Sequence, residues 1–158
     1  MYKVLDVCRY IINYSNEKRY GISNLKLQKL LYFVQAFFII TPPYGICFKE
    51  SIEAWDFGPV VPEAYHEYKQ YGSGNIPPIK SYFVFSDSYW VQEVPYNANI
   101  IAVDDQEKIN QIIDMFSNYS ATDLVRITHN QAPWKKAYAP NQNNIISIDS
   151  IKGYFKHE

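Results

Sequence analysis

No stretch of this 158-residue sequence is apolar for long enough to cross a bilayer, which takes about 20 residues in a helix. The longest apolar run, Phe33 to Ile40, is short and is broken by Gln35. The opening MYKVLDVCRY carries charges at Lys3, Asp6 and Arg9, so it lacks the apolar centre of a secretion signal. No membrane partner is expected. Cysteine is scarce, with Cys8 and Cys47 the two thiols. They read as small buried hydrophobes in a reducing compartment, and a cytoplasmic location is expected; a Cys8–Cys47 disulfide is the alternative. Neither sign of charge is in excess, with 15 Lys+Arg against 16 Asp+Glu. The broad basic face that phosphate contact needs is missing, so no nucleic-acid partner is expected. The sequence also has no phosphate loop, no Gly-x-Gly-x-x-Gly, no Cys-x-x-Cys and no Gly-x-Ser-x-Gly. Catalysis and cofactor binding therefore have no motif behind them.

Aromatic residues are abundant: 15 Tyr, 9 Phe and 3 Trp. Some of these rings must fill the core, and the rest suit an adaptable protein-binding surface. A chain of this length buries about 68–70% of its unfolded surface and folds without disulfide staples. It reads as a single domain over 1–158, with 72–103 as its variable insertion.

The stretch Ile52 to Tyr65, IEAWDFGPVVPEAY, organises the chain. It reads as a strand, a sharp corner at Gly58-Pro59, and a helix that starts at Pro62 with Glu63 in its first turn and stops at Gly72. Trp55 and Phe57 stand just before the corner, where their rings are expected to lock it. A Val at position 58 is expected to damage folding. Upstream, Val4, Leu5, Cys8, Ile11 and Ile12 recur at helical spacing over 3–16. Ser23 is placed to cap a second helix over 24–40, whose Leu27, Leu30, Leu31, Val34, Phe37 and Phe38 make it the central buried element. Lys26 and Lys29 on that helix, like Lys135 and Lys136, read as solvated pairs. Residues 46–55 read as extended, with Cys47 in a strand.

Downstream, 82–94 is a hairpin candidate around Ser86-Asp87-Ser88, expected to pack on the helices because a lone hairpin is marginal. Asp104 and Glu107 have capping-box spacing for a helix through Ile109, Ile112, Ile113 and Phe116. Ser120 and Asp123 have it for the next, which Ala132-Pro133 ends. A short helix over about 149–156 presents Ile151, Tyr154 and Phe155 for docking. The fold class is mostly α (α+β): about six helices with a small β-hairpin and short strands.

Histidine is rare, and two placements of it bear on chemistry. Glu63-x-x-His66 sets a carboxylate and an imidazole on one helix face, but di-iron bundles need that pair twice, so one copy is a weak metal signal. His129 ends a helix just before Trp134. It reads as a general base or ligand, or as a side chain that meets free carbonyls at the helix end with Trp134 packed over it; the second reading is preferred. His157, next to the last residue, reads as solvated.

Three segments resemble one known family in order and spacing: SNLKLQKLLYFVQAFFI, then IEAWDFGPVVPEAYHEYKQYG, then SATDLVRITHNQAPWKKAY. Together, over about residues 3–138, they are similar to Panacea-domain proteins, the SocA-like and phage-associated GepA-like group. The resemblance implies an antitoxin that neutralises a cognate toxin by direct contact in a two-gene system of phages or mobile elements. It implies no enzymatic activity and no cofactor. One member is an adaptor that delivers its toxin to a protease, so a housekeeping protease is a possible second partner. A small metal-dependent enzyme using Glu63, His66 and His129 is the third reading. Motif positions carry over to Leu27, Gln28, Lys29, Tyr32, Glu53, Ala54, Trp55, Gly58, Pro59, His129 and Trp134. With Phe57, those from Gln28 to Trp134 other than Ala54 are the candidate partner-binding residues. Larger members carry further domains; here no residues remain for a DNA-binding unit, so operator binding is not expected. Residues 76–103 match no family signature and are where partner specificity is expected.

Overall fold

The computed structural model describes residues 1–87 and 90–156. Its centre is α2 (Asn24–Ile40), capped by the Ser23 hydroxyl, which accepts from the Lys26 amide. Helices α1 (Val4–Glu17), α3 (Pro62–Tyr68), α4 (Val103–Met115), α5 (Ala121–His129) and α7 (Ile148–Lys156) all pack against it. Leu27, Leu30, Leu31 and Val34 of α2 meet Val7, Ile11 and Ile12 of α1, Ile109 and Ile113 of α4, and Leu124 and Ile151 in one continuous core. A helix apolar on most sides has to be enclosed in this way. The fold class is the mostly helical one expected.

Seven α-helices form among the described residues, not six. The added one is α6 (Ala132–Ala137): α5 ends at His129, and Pro133 lies in the first turn of a new helix where its missing N–H costs nothing. The Gly58-Pro59 corner is also revised. Strand β1 (Ile52–Trp55) pairs antiparallel with β2 (Gly58–Val60), Trp55 opposite Gly58, so the chain reverses at Asp56-Phe57 and Gly58-Pro59 opens the returning strand. Strand β5 (Ile145–Ile146), which had no sequence signal, pairs with the other edge of β1. Residues 46–51 are not strand. Cys47 is tied down by its own carbonyl, which accepts from the Tyr2 amide at 2.8 Å, and both cysteines are free and buried.

The capping box at Ser120 forms in full. The one at Asp104 does not: α4 starts two residues earlier, with Ala102 as its cap residue and Asp104 inside the first turn. The hairpin β3 (Ser81–Phe85) and β4 (Val91–Pro95) is present, with five cross-strand pairs from Ser81↔Pro95 to Phe85↔Val91; Ser88 of its expected turn lies outside the described residues, as does His157. It meets the helices at its base. There the Arg9 guanidinium lies 3.5 Å over the Tyr82 ring, and Asn13 brackets Ile79 with two hydrogen bonds. Beyond Tyr82 the strands stand away from the body, and most of their side chains are exposed. No helix among the described residues is long and apolar enough to cross a membrane.

The two capping sites make opposite predictions. Ser120→Ala should lower unfolding stability by about 1 kcal/mol, whereas Glu107→Gln, having no cap to lose, should stay within about 0.5 kcal/mol. Paired urea titrations check both.

Candidate functional site

The candidate residues fall into two layers. The inner layer is a row of polar side chains on α2 that bond the backbone of the irregular segments around it. Gln28 receives the Val61 amide at 3.0 Å and donates to Asn24, which in turn donates to the Tyr65 carbonyl. Lys29 Nζ donates to the Pro59 carbonyl at 3.1 Å. Tyr32 donates to Gln131 in the α5–α6 link at 2.8 Å. One turn on, Gln35 holds Phe48 and Cys47. A buried amide or carbonyl without a partner costs about 1–3 kcal/mol, so these α2 groups help fix the short segments around the helix.

Lys29 is fully buried, and Lys26 is nearly so, against the expectation of a solvated pair. Their stems fill core space, and their ammonium groups find carbonyls: Pro59 for Lys29 and Ser117 for Lys26. Burial alone lowers the Lys29 ammonium to a pKa of about 7. Gly58 lies directly over it. A Cβ at position 58 would sit 2.7 Å from Lys29 Cε and 2.9 Å from Thr128 Oγ1, and its φ of +106° is one that side-chain-bearing residues rarely adopt. Only glycine fits between α2 and α5 here.

The outer layer is a clamp on the β1–β2 turn. Trp134 Nε1 donates to the Trp55 carbonyl at 2.8 Å. His129 Nε2 donates to the Asp56 carbonyl at 2.9 Å, which places a proton on that nitrogen because a carbonyl can only accept. The Tyr138 hydroxyl donates to the Asp56 carboxylate, and that bond holds the phenol pKa above its ordinary value. The three rings stack in order, His129 on Trp134 at 4.1 Å and Trp134 on Tyr138 at 4.5 Å. So His129 is a structural ligand of a carbonyl with Trp134 over it, as preferred, but the carbonyl belongs to the turn and not to its own helix end. Trp55 bonds the Glu53 carboxylate through its indole N–H and packs edge-on to Tyr65.

Among the ten candidates, Gln28, Lys29, Tyr32, Gly58 and Pro59 are buried, and Glu53, Trp55, His129 and Trp134 are half-buried. Phe57 is 66% exposed and locks nothing; it projects from the tip of the clamped turn. Beside it lies a cleft of about 230 Å³ lined by Leu25, Trp55, Tyr65, Asn141 and Asn143. Glu63 and His66 sit on the exposed side of α3, while His129 is committed to Asp56, so the three do not converge. Among the described residues no group of three or more His, Cys, Asp or Glu is placed to hold a metal ion. Burial raises the thiol pKa of both cysteines well above ordinary values. The surface offers rings, amides and one aspartate, a combination suited to holding another molecule. Asp56, Tyr138, Gln131 and Asn24 had not been singled out, because nothing in their local sequence distinguishes them.

Residues 27–135, from the middle of the α2 row to just past Trp134, match the model of the family described as Antitoxin SocA-like, Panacea domain. The chain belongs to this family. It is 32% identical over 116 residues to Antitoxin SocA of Caulobacter vibrioides (strain NA1000 / CB15N), an alignment covering 72% of this chain and 58% of that protein. The chain thus spans well under two thirds of the curated relative's length. No solved structure matches.

Two outcomes are expected from this geometry. Gly58→Ala should cost at least about 2 kcal/mol, since strain and overlap act together; a melting midpoint equal to wild type would refute the close approach. The folded Lys29 pKa, about 7, lies below the ordinary 10.5, so the unfolded chain holds a proton there that the folded one has released. Between those pH values, wild-type stability should rise against Lys29→Met by up to about 1 kcal/mol per pH unit, and below pH 7 the two profiles should run parallel. Urea midpoints at pH 6, 7.5 and 9 read this.

Proposed function

We propose that this protein is an antitoxin that neutralises a cognate toxin by direct contact, within a two-gene system of the kind carried by phages and mobile elements, and that the turn at Asp56-Phe57 belongs to the contact surface. Membership of an antitoxin family supports the general role. The observation that carries the surface is Phe57. A large ring stands two-thirds in water on a turn where the Trp55 and Asp56 carbonyls and the Asp56 carboxylate are held from behind. A ring presented on a rigid support loses little conformational freedom on binding, which is the property of an interface anchor. The buried motif residues Gln28, Lys29, Tyr32, Gly58 and Pro59 serve that surface by positioning it. Glu53, Trp55, His129 and Trp134 hold the turn and line its flanks. No reaction is assigned to the site.

The test uses the product of the open reading frame adjacent to this gene. Co-expression with wild type should restore growth, and Phe57→Ala should weaken binding by about 10- to 100-fold with an unchanged melting midpoint. Unaltered affinity in that variant would remove the turn from the interface. A toxin half-life that shortens on co-expression, and only while a housekeeping protease is present, would replace direct neutralisation with delivery for degradation.

A further inference from the structure

An antiparallel hairpin that shields a core on one side turns polar residues to water on the other. The β3–β4 arm inverts that pattern. Residues directly opposite in the ladder share a face, so Phe83 with Glu93 and Phe85 with Val91 form one side, and Tyr82 with Val94 and Val84 with Gln92 the other. The second side carries the arm's attachment, through Tyr82 under Arg9. The first points away from the body and is mainly apolar: Phe83 is 64% exposed, Phe85 84% and Val91 53%. Trp90, the residue before β4, is 74% exposed at the tip. An aromatic side chain buries roughly 150–250 Å² when fully covered, so the Phe83 and Phe85 rings leave on the order of 300 Å² of apolar surface in water. That lies within the range of the largest patch of a typical monomer and is over a third of one partner's share of a standard interface.

Charge restricts what can cover it. From Ser81 to Pro95 the described residues hold two acids, Asp87 and Glu93, and no Lys, Arg or His. Glu93 stands in the middle of the apolar side, with its carboxylate on the Ser81 hydroxyl at 3.1 Å. Pairing this face with the same face of a second copy would bring like carboxylates together inside an apolar contact. A cationic counterpart would relieve them.

Resting on the antitoxin reading, we infer that the outer side of the β3–β4 arm is a second toxin-docking face. Its partner surface is an apolar groove of the toxin with a Lys or Arg at its edge. Phe83, Phe85 and Val91 fill the groove, and Glu93 meets the cation. The arm thereby discriminates between toxins, while the body behind it stays the same.

The experiment uses the full chain and the purified product of the adjacent open reading frame, by growth rescue and titration calorimetry. Three variants are compared with wild type: Phe83→Ser/Phe85→Ser, Glu93→Lys and Phe57→Ala. The double variant should lose binding by at least about 30-fold and fail to rescue, and Glu93→Lys should lose about 10-fold. Both should melt as wild type does, because the altered side chains touch little of the core. If wild type rescues and the double variant rescues and binds equally well, the arm is not a docking face, whatever Phe57→Ala shows. If wild type itself neither binds nor rescues, the antitoxin reading fails first and the arm proposal falls with it. If wild type alone forms a concentration-dependent dimer in sedimentation that the double variant abolishes, the face belongs to a second copy and the proposal is overturned.

Discussion

A lysine without a carboxylate partner, buried at the centre of α2, donates to the carbonyl of Pro59 beneath a glycine that cannot be replaced. Several segments beside α2 depend on contacts of this type. The segments around α2 are too short to stabilise themselves: β2 has three residues, β5 two and α6 six. A three-residue strand or a single helical turn does not form alone in water. Each is held by a neighbour: Lys29 bonds the Pro59 carbonyl in β2, Tyr32 bonds the Gln131 side chain at the start of α6, and β5 is held by its pairing with β1. The central helix thus acts as an apolar core element through its leucines and as a template for loops through Asn24, Gln28, Lys29, Tyr32 and Gln35. Desolvating the Lys29 ammonium is the largest electrostatic cost in the row, and depressing its pKa is how the protein limits that cost.

The outer clamp completes what this inner row begins. Lys29 and Gly58 set the depth of β2, the β1–β2 ladder sets the turn, and the His129–Trp134–Tyr138 stack closes over the turn's carbonyls. Because α5, α6 and the residue after α6 each supply one ring, the clamp exists only when the α5–α6 break is correctly formed. Tyr32 secures that break by donating to Gln131. Helix α2 therefore reaches the turn by two routes, under Gly58 and through Gln131. The result is a surface feature, Phe57, whose position is determined from deep inside the protein.

The elements legible in the sequence were those whose signal is local and periodic. Helices α1, α2, α4 and α7 carry apolar residues at helical spacing, and the Ser120–Asp123 box is a contiguous pattern. What was not legible needed a partner distant in sequence. Lys29 looks like a surface lysine because nothing nearby shows that α2 is enclosed on that side as well. The β1–β2 hairpin was read as a corner because Gly-Pro is a strong turn signal, while the residues that turn, Asp56-Phe57, are ordinary ones held by rings some 75 positions away. Helix α6 was read as a stop because Pro133 breaks a helix in mid-run yet starts one equally well. The clamp residues His129 and Trp134 stand out at a helix end and again in the family resemblance, while nothing local marks Asp56 or Tyr138.

The division between buried motif and exposed arm follows from what each must tolerate. A substitution in the α2 row or at Gly58 disturbs several segments at once, because each of those groups serves a backbone with no other support. A substitution on the outer side of the β3–β4 arm should disturb little of the fold, since that side is exposed and Arg9 and Asn13 meet the arm at its base. A protein built this way can change the face it shows to a partner without renegotiating its core. On the reading proposed here, that separation lets one helical scaffold match different toxins: the clamped turn gives a fixed anchor, and the arm gives an apolar, acidic surface that is free to vary.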